Sequence, residues 1–259
     1  MYYPCLTGHQ DMRRLKFTLL GLISVLVTVL VCAQSNFGWY RGRPIVQNEP
    51  PETEFIAARW HFGTNGAVDH MGWAHNYPNS DQNLNEFLDR ATRVNVEIGS
   101  YRIVELGSEE VFDYPFAYVS EPGEMELTEQ EVRNLREFIN RGGFVLVDDF
   151  DGPWQFEQLR SQIRRAFPDR AFVPLSIDHR VFHAQFDLDD LQGMAEYVSG
   201  ERIVYFGLFD DAGRLAILAG HNNDLANFWE WYNEPSRPLK PGADAFRLGA
   251  NAVIYSMTH

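Results

Sequence analysis

A three-layer α/β fold on a doubly wound, mostly parallel sheet is the class this sequence predicts, and three observations predict it. Short apolar runs alternate with segments of helical period along most of the chain, the pattern of repeated strand–helix–strand units. One run, Phe144-Val145-Leu146-Val147, is apolar at every position, as a strand buried on both faces should be. The 259 residues suffice for one such domain plus an additional segment, which composition locates at the front.

That front segment reads as a leader. The basic run Arg13-Arg14-Leu15-Lys16 precedes an apolar stretch from Phe17 to Cys32, and Val31-Cys32-Ala33 offers a cleavage site after Ala33. Residues 1–33 are therefore expected to be a secretory signal peptide, with Met12 as the true start, and the domain to be periplasmic or secreted. The alternative is an uncleaved inner-membrane anchor over residues 17–32, which is shorter than the roughly 20 residues a spanning helix wants. Bulky Val31 before Cys32 argues against a lipoprotein signal. Both cysteines, Cys5 and Cys32, fall in this leader, so the mature chain has no disulfide, thiolate metal site or cysteine nucleophile.

Residues 34–53, with Pro44, Pro50 and Pro51, form a polar linker or edge-packing arm, and a single α/β domain follows over 54–259. Phe55–Trp60 is its first strand, leading into a Gly/Asn-rich loop. Leu84, Phe87, Leu88 and Ala91 recur at helical spacing, with Ser80 or Asp81 as cap. Arg102–Leu106 and Phe116–Val119 are two more strands. Thr128-Glu129-Gln130-Glu131 is a capping box, Val132, Leu135, Phe138 and Ile139 the buried stripe of its helix, and Gly142-Gly143 its end. After the Phe144 strand, Gly152-Pro153 opens a helix lined by Phe156, Leu159, Ile163 and Phe167, with Pro153 at the first position. Ala171–Leu175, Val181–Phe186, Arg202–Phe206 and Leu215–Leu218 are further strands. Ala245, Leu248, Gly249, Ala252 and Val253 suit a closing helix.

Several of these segments also carry a resemblance. Phe112-Asp113-Tyr114-Pro115, Leu127-Thr128-Glu129-Gln130-Glu131-Val132, Gly142–Asp149, Phe167-Pro168-Asp169-Arg170, Asp178–His183 and Asn223-Asp224-Leu225 with Trp229-Glu230 resemble the bacterial domain of unknown function 4159 family over residues 54–259. The resemblance implies a class I glutamine amidotransferase-like (flavodoxin-like) architecture and no established activity. Amidotransferases of that architecture use a cysteine on a sharp turn after a central strand, which this mature chain lacks. His61-Phe62-Gly63-Thr64-Asn65-Gly66 also stands where the family usually has a Tyr-Gly-Gly type run.

Ligands in open α/β sheets sit beyond the carboxyl ends of the strands. Asp148, Asp149 and Asp151 follow the Phe144 strand, where they could take a divalent cation or sugar hydroxyls, Asp148 and Asp149 being the metal candidates. They could equally serve the next helix, Asp151 or Gly152 as its cap. His61, Asn65, Asp69, His70, His75 and Asn76, with Trp73 and Tyr77, belong to the loop after the first strand, which should open onto the same rim. His221 and Asp224 precede the aromatic run Phe228–Tyr232 and could join it. His179 and His183 share a face at either helical or strand spacing, and paired structural histidines are expected rather than a metal site.

The net charge of −14 becomes more acidic by two without the leader, which argues against nucleic acid and anionic membrane partners. Ser120 and Ser176 lie in no Gly-x-Ser-x-Gly elbow, and no Gly-x-Gly-x-x-Gly or Walker loop is present. The expectation is a non-catalytic module binding a small molecule or protein in the cell envelope, without an obligatory cofactor. The alternative is a metal-assisted hydrolase with Asp148 and Asp149 as ligands and His61 or His221 as base.

Overall fold

The computed structural model describes residues 45–66, 72–194 and 201–259. The leader, most of the segment before Gln47, and Asp69 and His70 lie outside the described residues. Gln47–His259 form one compact unit, to which everything below refers.

Seven strands make one sheet: β1 (Ala57–His61), β2 (Tyr101–Glu105), β3 (Phe116–Ser120), β4 (Phe144–Phe150), β5 (Val173–Pro174), β6 (Val204–Phe209) and β7 (Leu215–His221). Their order is β2-β1-β3-β4-β7-β6-β5. The pairs from β2 through β7 are parallel, while β6 and β5 add antiparallel pairings at one edge. This mixed α/β arrangement is consistent with the flavodoxin-like class. The chain leaves β1 in one direction to β2 and in the other to β3, so the switch in strand order falls between β1 and β3.

Among the described residues five α-helices accompany the strands: α1 (Asn79–Ala91), α2 (Glu129–Asn140), α3 (Gly152–Ala166), α4 (Leu225–Glu230) and α5 (Leu239–Thr258). Arg59 and Tyr118 are register partners and share one sheet face; there Tyr118 meets Trp229 of α4 and Phe144 meets Tyr255 of α5. Trp60 points to the other face and packs edge-on against Phe138 of α2. All seven residues of β4 are buried, the apolar run Phe144–Val147 as expected and Asp148 and Asp149 along with it. No helix among the described residues is long and apolar enough to cross a membrane.

Local signals account for most boundaries. Thr128 and Glu131 form the capping box, and Gly142 ends α2 at φ 98°. Three expectations need correction. Ser80 and Asp81 do not cap α1; they lie in its first turn and are both engaged by Arg59. Pro153 occupies the second position of α3, after Gly152. Val181–Phe186 is not a strand, because a single 3-10 turn covers Arg180–Phe182 and Asn251 of α5 accepts from the Gln185 and Phe186 amides and donates to the Phe186 carbonyl. A side chain thus takes the hydrogen bonds a ladder would have used. The Ala171–Leu175 run forms a strand only at Val173–Pro174, and beyond it the Leu175 amide still donates to the Tyr205 carbonyl of β6.

Candidate functional site at the carboxyl edge of the sheet

The site is built around an irregularity in β4. Pairing with β7 is regular through Val147, slips, and resumes at Phe150, and Asp149 within the slip has φ 64°. The consequence is geometric. Tyr118 donates to Asp148 Oδ2 at 2.9 Å and Ser120 donates to Asp149 Oδ2 at 3.1 Å. Tyr118 and Ser120 are two apart on β3 and share a face, so both carboxylates reach that face. A regular strand would have sent one of them to each side.

The loop after β1 brings a histidine onto the pair. His75 Nδ1 lies 2.6 Å from Asp149 Oδ2 and 3.9 Å from Glu121 Oε1. Arg59 holds that loop from below. Its guanidinium, 1% exposed, pairs with Asp81 at 2.7 Å, donates to the carbonyls of Trp73 and His75, and lies 4.6 Å over the Tyr118 ring. Burial would lower the pKa of Arg59, but the charge of Asp81, the nearby Tyr118 and Tyr77 and the hydrogen bond to Asp81 together raise it and keep it a cation. On the far side, Asp224 caps α4 by accepting from Asn227 N, and Asp148 Oδ2 accepts from Ala226 N two residues on. One ligand atom each from His75, Asp149 and Asp224 lie within 4.8 Å of one another.

Packing carboxylates this closely has electrostatic consequences. Burial, then the charge of Asp149, pushes Asp148 up to about 7 against the α4 amides and the Tyr118 hydroxyl that hold it down. Burial, then Asp149, pushes Glu121 up to about 8. Burial would lower the pKa of His75, but its hydrogen bond to Asp149 and the charges of Asp149, Glu121 and Glu230 raise it instead. Four non-glycine residues among those described have left-handed backbone, Asn76, Glu121, Asp149 and Asn222, and all lie on segments that reach this edge. Such residues concentrate where function needs a side chain aimed against its local preference.

The other candidates from the sequence have separate duties. His61, at the end of β1, contacts Glu105 Oε1 at 2.6 Å and stacks on Trp73. The Asn65 amide donates to the Glu124 carbonyl. Tyr77 packs edge-on to Tyr101, and burial raises its pKa. Asp151 stands at the start of α3 without a side-chain capping bond, while Gln155 accepts from its amide. His221 Nε2 is 2.9 Å from the Gly152 carbonyl, among Phe150, Phe156 and Phe206. His179 accepts from the Val181 amide, and His183 contacts Asp187 and the Ile177 carbonyl, both away from the edge.

Sequence reasoning missed Arg59, Tyr118, Ser120 and Glu121 as members of the site. An arginine in the otherwise apolar run Phe55–Trp60 was the one available signal. Ser120 is wholly buried and donates to Asp149, not to a histidine, so it forms no nucleophile–base pair. A hollow of 720 Å³ lined by Glu54, Arg90, Val94 and Gln185 lies at the opposite, amino-terminal end of the strands and gathers none of these groups.

The class so defined is a mixed α/β domain on a mostly parallel sheet with buried carboxylates converging at its strand ends. The chain belongs to the family described as Domain of unknown function (DUF4159), whose pattern its residues 63–257 match. No curated protein matches it.

Proposed function

We propose that this domain is an exported, non-catalytic binding module of the cell envelope. Its site is the carboxyl edge beside β1, β3 and β4, and its ligand presents positive charge or hydrogen-bond donors. One observation carries the reading: the slip in β4 aims two consecutive buried carboxylates at one face, under His75. Nothing in packing alone calls for adjacent like charges in a core, and features that oppose stability concentrate at functional sites. The leader supports export. The strand order with its antiparallel extension supports an amidotransferase-like variant of the flavodoxin-like class, with an aspartate rather than a cysteine on the left-handed turn.

A metal-assisted hydrolase is the second reading, favoured by His75 against Asp149. In it His75 takes the place first given to His61 or His221.

Titration of the full chain with spermidine, glucuronate and N-acetylglucosamine, followed by amide NMR, tests the first reading. Spermidine should perturb residues 75, 121, 149–152 and 222–224 saturably, and Asp149→Asn should weaken it at least tenfold. Perturbation by glucuronate alone, or by none of the three at this edge, would overturn it.

A further inference from the structure

We propose that the edge is a divalent-cation site in which His75, Asp149 and Asp224 are the protein ligands. The inference rests on reading that edge as the binding site and names the ligand it takes. Its basis is the convergence of three donors from distant parts of the chain. His75 comes from the loop after β1, Asp149 from the slipped end of β4, and Asp224 from the start of α4. Their ligand atoms lie within 4.8 Å of one another. Ligand atoms around one ion at about 2.1 Å stand at most about 4.2 Å apart, so small side-chain adjustments complete the site.

A second, independent observation points the same way. Asp148 is wholly buried, and while its Oδ2 accepts from Tyr118 and Ala226, its Oδ1 has no hydrogen-bond partner. It is the chain neighbour of Asp149 and is anchored on the helix that Asp224 caps. Asp148 is not one of the three converging ligands, so a water bound to the cation, rather than the cation itself, is what its leftover buried oxygen would take. Removing this cost by hydrophobic replacement would have been simple for a purely structural core.

The donor set selects among ions. One imidazole nitrogen with two carboxylate oxygens suits Mn²⁺ or Zn²⁺ over Ca²⁺ and Mg²⁺, which prefer oxygen donors alone. Three protein ligands also leave positions for a bound molecule, which joins the metal to the binding role of the edge. His61 and His221 stay outside, the first on Glu105 and Trp73, the second on the Gly152 carbonyl.

The test uses the full chain after chelator treatment, with MnCl₂, ZnCl₂, MgCl₂ and CaCl₂ as probes. Mn²⁺ or Zn²⁺ should raise the melting temperature by several degrees at micromolar concentration, with Mg²⁺ and Ca²⁺ at least tenfold weaker. Asp149→Asn suits the left-handed position, and Asp224→Asn retains the helix cap, so both should fold while each loses binding at least tenfold. On the unaltered chain, substoichiometric Mn²⁺ should broaden the amide signals of His75, Asp149 and Asp224–Ala226 first. Absence of binding, binding that both variants retain, or broadening confined to the exposed Asp187–Asp190 cluster would overturn the proposal. If spermidine still binds this edge while no metal does, the metal assignment fails and the binding-module reading stands.

Discussion

Arg59 shows how one buried charge can place a loop. Its partners, Asp81, Ser80 and the carbonyls of Trp73 and His75, lie 14 to 22 residues away, and together they fix the turn that carries His75. Removing one member of a buried pair leaves the other charge uncompensated. Arg59→Met should therefore cost about 3–5 kcal/mol in urea denaturation, and the double change Arg59→Met/Asp81→Leu should recover a large part of it. In both variants the amides of residues 73–77 should exchange faster, because the loop has lost its anchor.

A second single-residue prediction concerns pH. Burial, with Arg180 and His259 nearby, lowers His179 from its ordinary 6.5, and its ring nitrogen accepts from the Val181 amide only when unprotonated. The unfolded chain therefore takes up the proton first. The stabilisation is complete above the ordinary value and is lost as pH falls through the lower folded value. Asn at this position keeps an acceptor that does not titrate. Wild type should lose melting temperature relative to His179→Asn between pH 7 and pH 5, and equal slopes would refute this.

At the scale of elements, the capping box of α2 also ties down the rim. Glu131 Oε2 accepts from the Thr128 amide as a capping glutamate does, but Oε1 accepts from the Gly63 amide across the sheet edge. The Gly63 carbonyl in turn accepts from Glu126 N, so helix start and loop are stitched together. Thr128→Ala should cost about 1 kcal/mol, as an ordinary cap does. Glu131→Ala should cost more than that and should also speed hydrogen exchange at Gly63 and Asn65, which Thr128→Ala should leave protected.

This box was legible from four residues because its bonds are local. So were the buried strand at Phe144 and the Gly142-Gly143 stop. The loss of a strand over Val181–Phe186 was not, since Asn251, 65 residues beyond Phe186, takes the backbone bonds of Gln185 and Phe186. The site divides in the same way. Asp148, Asp149 and Asp224 could be named from their place after strands, but the slip that turns Asp148 and Asp149 to one face, and the reach of His75 across 74 residues, are products of sheet assembly.

For the whole molecule, an open sheet must protect two edges, and the two are managed differently. At the β5 edge the strand has two residues, one of them Pro174, which offers no amide to a second chain. At the β2 edge, residues 47 and 48 supply the missing bonds. The Gln47 side chain both accepts from Ile103 N and donates to its carbonyl, as a paired strand would. The Asn48 side chain donates to the carbonyls of Gly99 and Tyr101, and Arg102 donates to the Asn48 carbonyl. These residues thus act as an edge-covering arm, although their proline-rich surroundings read equally well as a linker. A chain beginning at Gln47 retains all of these bonds. One beginning at Glu54 loses these five bonds, and at about 1 kcal/mol for a typical one should melt several degrees lower. Its bared β2 edge should also self-associate with rising concentration in light scattering. A chain from Glu54 that stays monomeric and equally stable would mean that β2 needs no cover and that the segment is only a tether.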